Sequence, residues 1–188
     1  MESSCSKALL VCLLERFQSV KKLGDSALSQ IPDQLLNDSV GPETNSVAVV
    51  VKHLHGNMLS RWTDFLASDG EKPWRNRDGE FEVGDNFEPQ LIRSWWNEGW
   101  ELTLNTIGSL KADDLQKTVY IRGESHSVMD ALLRQLAHYA YHVGQIVMLA
   151  RHVCEAGGIA WQTLSIQKGE SLEYNKRMGY EQSREDKN

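Results

Sequence analysis

Apolar residues recur at steps of three and four over residues 4–30: Leu9, Leu10, Leu13, Leu14, Phe17, Val20, Leu23, Ala27 and Leu28. That spacing lays them along one face of a helix and predicts a core-facing amphipathic first helix. Ser3 or Ser4 is its candidate cap, and Ile31-Pro32 ends the pattern, because the residue before proline is pushed out of the helical region. Residues 31–45, with Pro32, Gly41, Pro42 and Asn45, read as a connection. Asn45 or Ser46 then caps a second helix, Ser46–Ser68. Its β-branched opening, Val47-Ala48-Val49-Val50-Val51, has the look of a strand, but Leu54, Met58, Trp62, Phe65 and Leu66 restore the helical period.

Residues 69–86 are polar and glycine-rich, a loop long enough in a small domain to be either functional or disordered. A third helix starts at Glu88-Pro89, with proline in the first turn, and runs to Leu110. Leu91, Trp95, Leu102 and Ile107 mark its inner side, with Trp96 and Trp100 nearby. Thr118-Val119-Tyr120-Ile121-Arg122-Gly123 reads as a short strand or extended segment. Ser127 caps the last long helix, Val128–Ala156, which has Asp130 in its first turn and Gly157-Gly158 as its stop. Four long helices and one extended excursion before the last of them predict an all-α fold, a helical bundle. Residues 1–180 are expected to form one domain and residues 181–188 a disordered tail.

Composition narrows the function classes. A hydrophobic share of 40% and a charged share of 24% over 188 residues are those of an ordinary globular protein. A formal charge of −6, with no basic run interleaved with aromatics, argues against nucleic acid or an anionic membrane as partner. Ala8–Leu14 is too short to span a bilayer. Cys5, Cys12 and Cys154 form no CxxC pair, and an odd count without a framework predicts a reducing, cytoplasmic location.

The candidate chemistry lies in the last helix, at His138-Tyr139-Ala140-Tyr141-His142-Val143-Gly144-Gln145. Two imidazoles four residues apart lie about 40° apart on one helix face, close enough to share a metal ion. His152 lies on nearly the same face but roughly 21 Å along the axis from His138, too far to share that ion. In the second helix His53 is the best third ligand and His55, about 200° around, its competitor. Three neutral imidazoles would leave a fourth position for water or substrate, as in catalytic zinc sites. No glutamate stands between His138 and His142, so the pattern is not HExxH and brings no local general base. The plainer alternatives are hydrogen-bonded histidines, core aromatics at Tyr139 and Tyr141, an exposed Gln145, core tryptophans, and a solvated loop at 71–78. Gly144 would permit a close helix approach. His53, Asn57, Ser60 and Arg61 form a polar stripe that either lines a wet pocket or faces solvent.

Ser46–Trp62 (beginning Ser-Val-Ala-Val-Val-Val-Lys-His-Leu-His-Gly-Asn-Met) and Leu136–Arg151 (beginning Leu-Ala-His-Tyr-Ala-Tyr-His-Val-Gly-Gln-Ile) resemble the two signature regions of the DinB/YfiT-like superfamily. Loop Asp69–Arg77 and tail Leu164–Asn175 look like an uncharacterised bacterial branch of it. The resemblance implies a four-helix bundle in which His53, His138 and His142 hold one divalent ion, zinc or nickel, with His55 a neighbour. Characterised relatives of that superfamily include thiol-dependent transferases and isomerases, but for this branch the resemblance implies only metal binding and fold. The first functional expectation is a metal-dependent enzyme, a transferase using a low-molecular-weight thiol or a hydrolase, with Asn57, Arg61 and Gln145 as pocket candidates. The rival expectation is a non-enzymatic, stress-related bundle in which the metal is structural. A small-molecule substrate and a homodimer are expected, with the Trp-rich third helix as the candidate dimer face.

Overall fold

The computed structural model describes residues 2–82 and 88–180. The expected tail, 181–188, and the end of the expected loop, 83–86, lie outside the described residues. The fold is mostly helical: α1 spans Glu2–Leu28, α2 Val47–Trp62, α3 Pro89–Ser109, α4 Val128–Ala156, and a short α5 Ser171–Arg177. Between α3 and α4, strands β1 (Thr118–Ile121) and β2 (Glu124–Ser127) pair antiparallel, with Ile121 opposite Glu124. The strand expectation covers only β1. Its partner, Glu-Ser-His-Ser, has no apolar alternation to reveal it. The turn between them places both Arg122 (φ 57°) and Gly123 (φ 76°) in the left-handed region, as a two-residue hairpin turn requires.

Of the expected caps, those of α2, at Ser46 rather than Asn45, and of α4 are made, whereas α1 already begins at Glu2 and holds Ser3 and Ser4 inside it. Ser46 Oγ accepts from the Val49 amide at 3.2 Å, and Ser127 Oγ from the Asp130 amide at 3.1 Å. The second helix ends six residues earlier than its period predicts. Thr63 turns extended (ψ 123°) and Asp64 adopts φ 51°, which ends α2 at Trp62. In α3 the inner face is rotated from the expected one: Leu91 is exposed, whereas Ile92, Trp96, Gly99, Trp100, Thr103 and Ile107 are buried. A glycine and a threonine sit on that buried face, so the apolar period did not show it. Gly99 has a packing reason, since a Cβ there would meet Met58 Sδ of α2 at 2.8 Å. Leu23, expected on the inner stripe of α1, is exposed.

α1 packs chiefly on α4 and α2 chiefly on α3, with α2–α4 and α1–α3 contacts completing the set. Each of the four helices sends one ring into a shared centre. Phe17 meets Trp62 and Tyr139 edge-on at 6.1 Å, and Trp100 meets Tyr139 at 5.6 Å. Trp96 and Trp100 are thus core residues, and Trp95 stacks on His55, so the indoles expected at a dimer face pack within the chain. Tyr139 is fully buried with its hydroxyl satisfied. It accepts from Trp62 Nε1 at 2.9 Å and Gln135 Nε2 at 3.1 Å, and donates to Asn57 Oδ1 at 3.2 Å. Burial raises the phenol's pKa, so it stays protonated as a donor. Among the described residues no helix is long and apolar enough to cross a membrane.

The two caps give the first prediction. Ser46→Ala and Ser127→Ala should each lower unfolding stability by about 1 kcal/mol, read as a urea midpoint shift at constant m. An unchanged midpoint in both would show that the caps contribute nothing.

Candidate metal centre

His53 lies mid-way along α2, and His138 and His142 stand one turn apart on α4. The structure brings the three together, with one ring nitrogen from each lying within 4.8 Å of the others. The hydrogen bonds behind the rings assign the tautomers. His53 Nδ1 is 2.9 Å from Glu80 Oε2, an acceptor, so in the neutral ring Nε2 carries the lone pair. His142 Nδ1 donates to Gln145 Oε1 at 2.7 Å, and the Gln145 amide is oriented by donating its NH2 to Tyr141 at 3.0 Å. His142 Nε2 is therefore also a lone pair, and His138 Nε2 lies 3.0 Å from it. A proton on His138 would satisfy one of these lone pairs; a cation would satisfy all of them. Tetrahedral zinc, with Zn–N near 2.0–2.1 Å, needs nitrogens about 3.3 Å apart, so the His138/His142 edge already fits. Among the described residues no fourth histidine, cysteine or carboxylate joins the group.

The electrostatics keep the His138 and His142 rings neutral. Burial, then the neighbouring His142 and His53 rings, hold the His138 imidazole down at about 3. Burial lowers His142 as well, and the Gln145 bond only partly offsets it. Burial alone would push the Glu80 carboxyl up, but the bonds from His53 and Arg75 outweigh it and hold Glu80 ionised. His138 Nδ1 is buried with no hydrogen-bond partner among the described residues.

The remaining histidines separate cleanly. His55 points to α3, where Nε2 contacts Glu98 at 2.9 Å, so it does not compete with His53. His126 Nδ1 contacts Asp130 at 2.6 Å, and His152 sits with Gln145 at a different surface hollow. Asn57 and Arg61 line the pocket over the three histidines, about 280 Å³ in volume, together with Gln135 and Phe81. Gln145 does not line it; its role is behind His142. Tyr141 is exposed, and Gly144 is no close-approach site, since a Cβ there would meet nothing within 4 Å.

The polar stripe on α2 divides. Asn57 and Arg61 face the pocket, while Ser60 and Arg61 also anchor the loop that follows. Ser60 Oγ donates to the Gly70 carbonyl at 2.7 Å and accepts from the Lys72 amide at 3.1 Å, and Arg61 Nη1 reaches the same carbonyl. The segment 71–78 is accordingly solvated only in part: Pro73, Trp74 and residues 76–78 are exposed, but the Arg75 side chain is 2% exposed and binds both Glu80 oxygens, at 2.7 and 2.9 Å. Glu80 and Arg75 are functional candidates that sequence reasoning missed. Their only sequence signal is Gly56, one turn after His53, where a Cβ would meet Glu80 Oε1 at 2.3 Å. The helix lacks a side chain there, which lets a carboxylate lie against it.

With this geometry, the match to a family model gains a physical content. The model describes a protein of unknown function, DUF1572, and matches residues 4–170. The chain belongs to the DUF1572 family. No curated protein matches it. In this DUF1572 chain the matched span holds His53, His138 and His142 together with Gly56, Arg75 and Glu80.

Two predictions follow the geometry. In the unfolded chain His138 takes a proton near pH 6.5, whereas in the fold it resists one down to about 3. Below about pH 6.5 the unfolded state therefore binds more protons, and stability falls with falling pH. Chelator-treated protein should show a lower urea midpoint at about pH 5 than at about pH 7, with a shallower fall in His138→Gln. A flat profile in the wild type contradicts the buried-neutral assignment. Separately, Gly56→Ala, a favourable helix substitution in isolation, should displace Glu80 and weaken zinc uptake while circular dichroism stays unchanged.

Proposed function

We propose that this chain is a divalent-metal protein of the DinB/YfiT-like type. In this reading it is a four-helix bundle whose His53, His138 and His142 hold one zinc or nickel ion and leave a coordination position to a small-molecule substrate. The observation that carries the reading is the tautomer set: Glu80 and Gln145 occupy the Nδ1 atoms of His53 and His142 and leave both Nε2 lone pairs free, with His142 Nε2 3.0 Å from His138 Nε2 and a ring nitrogen of each histidine within 4.8 Å of the others. A bound divalent ion supplies Lewis acidity, lowering the pKa of a water or thiol in its open position.

The chain's own residues bind and orient. Asn57 faces the pocket with its carbonyl engaged by Gln135 Nε2 at 2.8 Å and by Tyr139, so its NH2 is the donor left for a ligand. Glu80 is held by Arg75 and His53, which makes it an anchor for the ring rather than a proton acceptor for substrate. Cys5 and Cys12 are exposed on α1, and Cys154 is buried with its thiol near Gln30 O at 3.7 Å. None of the three lines the pocket. A thiol reacting at this centre would therefore belong to a substrate, in keeping with a transferase that uses a low-molecular-weight thiol.

Elemental analysis of protein purified without chelator tests the reading. About one ion per chain is expected, lost in His53→Ala, His138→Ala and His142→Ala with the helical signal retained. Folded wild type that takes up neither zinc nor nickel would sink it. Cobalt-loaded protein then separates enzyme from staple: an absorption change on adding a small thiol supports the open position, and an unaltered spectrum supports a structural ion.

A further inference from the structure

The pocket over the three histidines collects five guanidinium groups, from Arg61, Arg75, Arg77, Arg122 and Arg134. They arrive from four separate parts of the chain: α2, the loop after it, the β1–β2 turn, and α4. Two carboxylates meet them from behind. Glu80 binds Arg75, and one oxygen of Glu71 is shared among Arg61, Arg75 and Arg122 at 3.1, 3.3 and 3.3 Å. Five positive charges outnumber the carboxylates beside them, Glu71, Glu80 and Asp69, around a pocket of about 280 Å³, in a chain whose formal charge is −6. Like charges brought together this way repel, and the chain's overall acidity makes the concentration less expected by chance.

The arrangement is also built. Asp69 accepts from the Arg122 and Gly123 amides at 2.8 and 2.7 Å, tying the hairpin turn to the loop that carries Arg75 and Arg77. Arg122 is the non-glycine residue placed at φ 57° in that turn, and its side chain is 56% exposed at the pocket. Arg134 is exposed on α4, one turn before His138, with only a 3.4 Å approach to His126 among the described residues. Planar guanidiniums present paired N–H donors that match an oxyanion.

We propose that the ligand of this pocket is a small organic anion whose carboxylate or phosphate group is held by Arg122 and Arg134, with its reacting end directed at the three histidines. The orientation rests on the metal-site reading; the preference for an anion does not. The pocket volume restricts the ligand to a small molecule.

Calorimetric titration of the full chain with succinate and with inorganic phosphate, each with chelated and zinc-loaded protein, tests this. Saturable binding is expected already in the chelated protein, tighter with zinc. It should weaken roughly tenfold or more in Arg122→Gln and in Arg134→Gln, both solvent-facing positions, with zinc content unchanged. Whichever anion binds tighter fixes the class as carboxylate or phosphate. The inference is overturned if neither anion saturates, if both variants bind as wild type does, or if neutral succinamide binds as well as succinate. Anion binding without zinc uptake sustains this inference while the metal reading fails; zinc uptake without anion binding does the reverse.

Discussion

The Glu80 carboxylate, lying against α2 where residue 56 has no side chain, is the contact on which the site depends. Its two oxygens receive Arg75, and one of them also meets His53 Nδ1. All of this takes place at side chains that are 2–7% exposed. A buried carboxylate is costly unless every lone pair finds a donor, and here two donors of different origin supply them. The result is a rigid join between a helix and a loop, with the imidazole held in one tautomer at its end. Removing any one partner leaves the others as unpaired buried polar groups, which is why the loop and the ring stand or fall together.

The second half of the site is held differently. His138 and His142 belong to one helix, so their spacing is set by helix geometry alone. What must be fixed is the register of α4 against α2. The hydrogen bonds joining Asn57 and Trp62 of α2 to Gln135 and Tyr139 of α4 do this in the middle of an aromatic core. Apolar packing tolerates a slide along the helix axis; a satisfied buried network does not. The Tyr139 hydroxyl thus positions its neighbour His138 without touching the pocket.

These two halves explain what the amino-acid pattern could disclose. Helix positions, both serine caps and the His138/His142 pair follow from local rules, and they were legible. His53 was legible as one of two candidates; choosing it over His55 took the observation that His55 turns to Glu98. The buried face of α3 was hidden because Gly99 and Thr103 occupy core positions without being apolar. Arg75 and Glu80 were illegible for a deeper reason. In a polar loop their charges suggest solvent, and only the notch at Gly56, 24 residues upstream of Glu80, makes burial possible. Non-local pairing of charges leaves no periodic trace.

The same pairing shapes the electrostatics of the proposed centre. Three neutral imidazoles contribute no negative charge, so an ion they hold keeps its full positive charge in the pocket. The surrounding guanidiniums outnumber the carboxylates beside them, so such an ion would enter a field of its own sign. Glu80 behind His53 relieves part of this, and a bound anion would relieve more. An anion and a dication that each lower the other's cost are thermodynamically coupled, and the coupling is reciprocal. In the proposed reading the arginines would favour an anionic ligand, and that ligand and the ion would each ease the binding of the other.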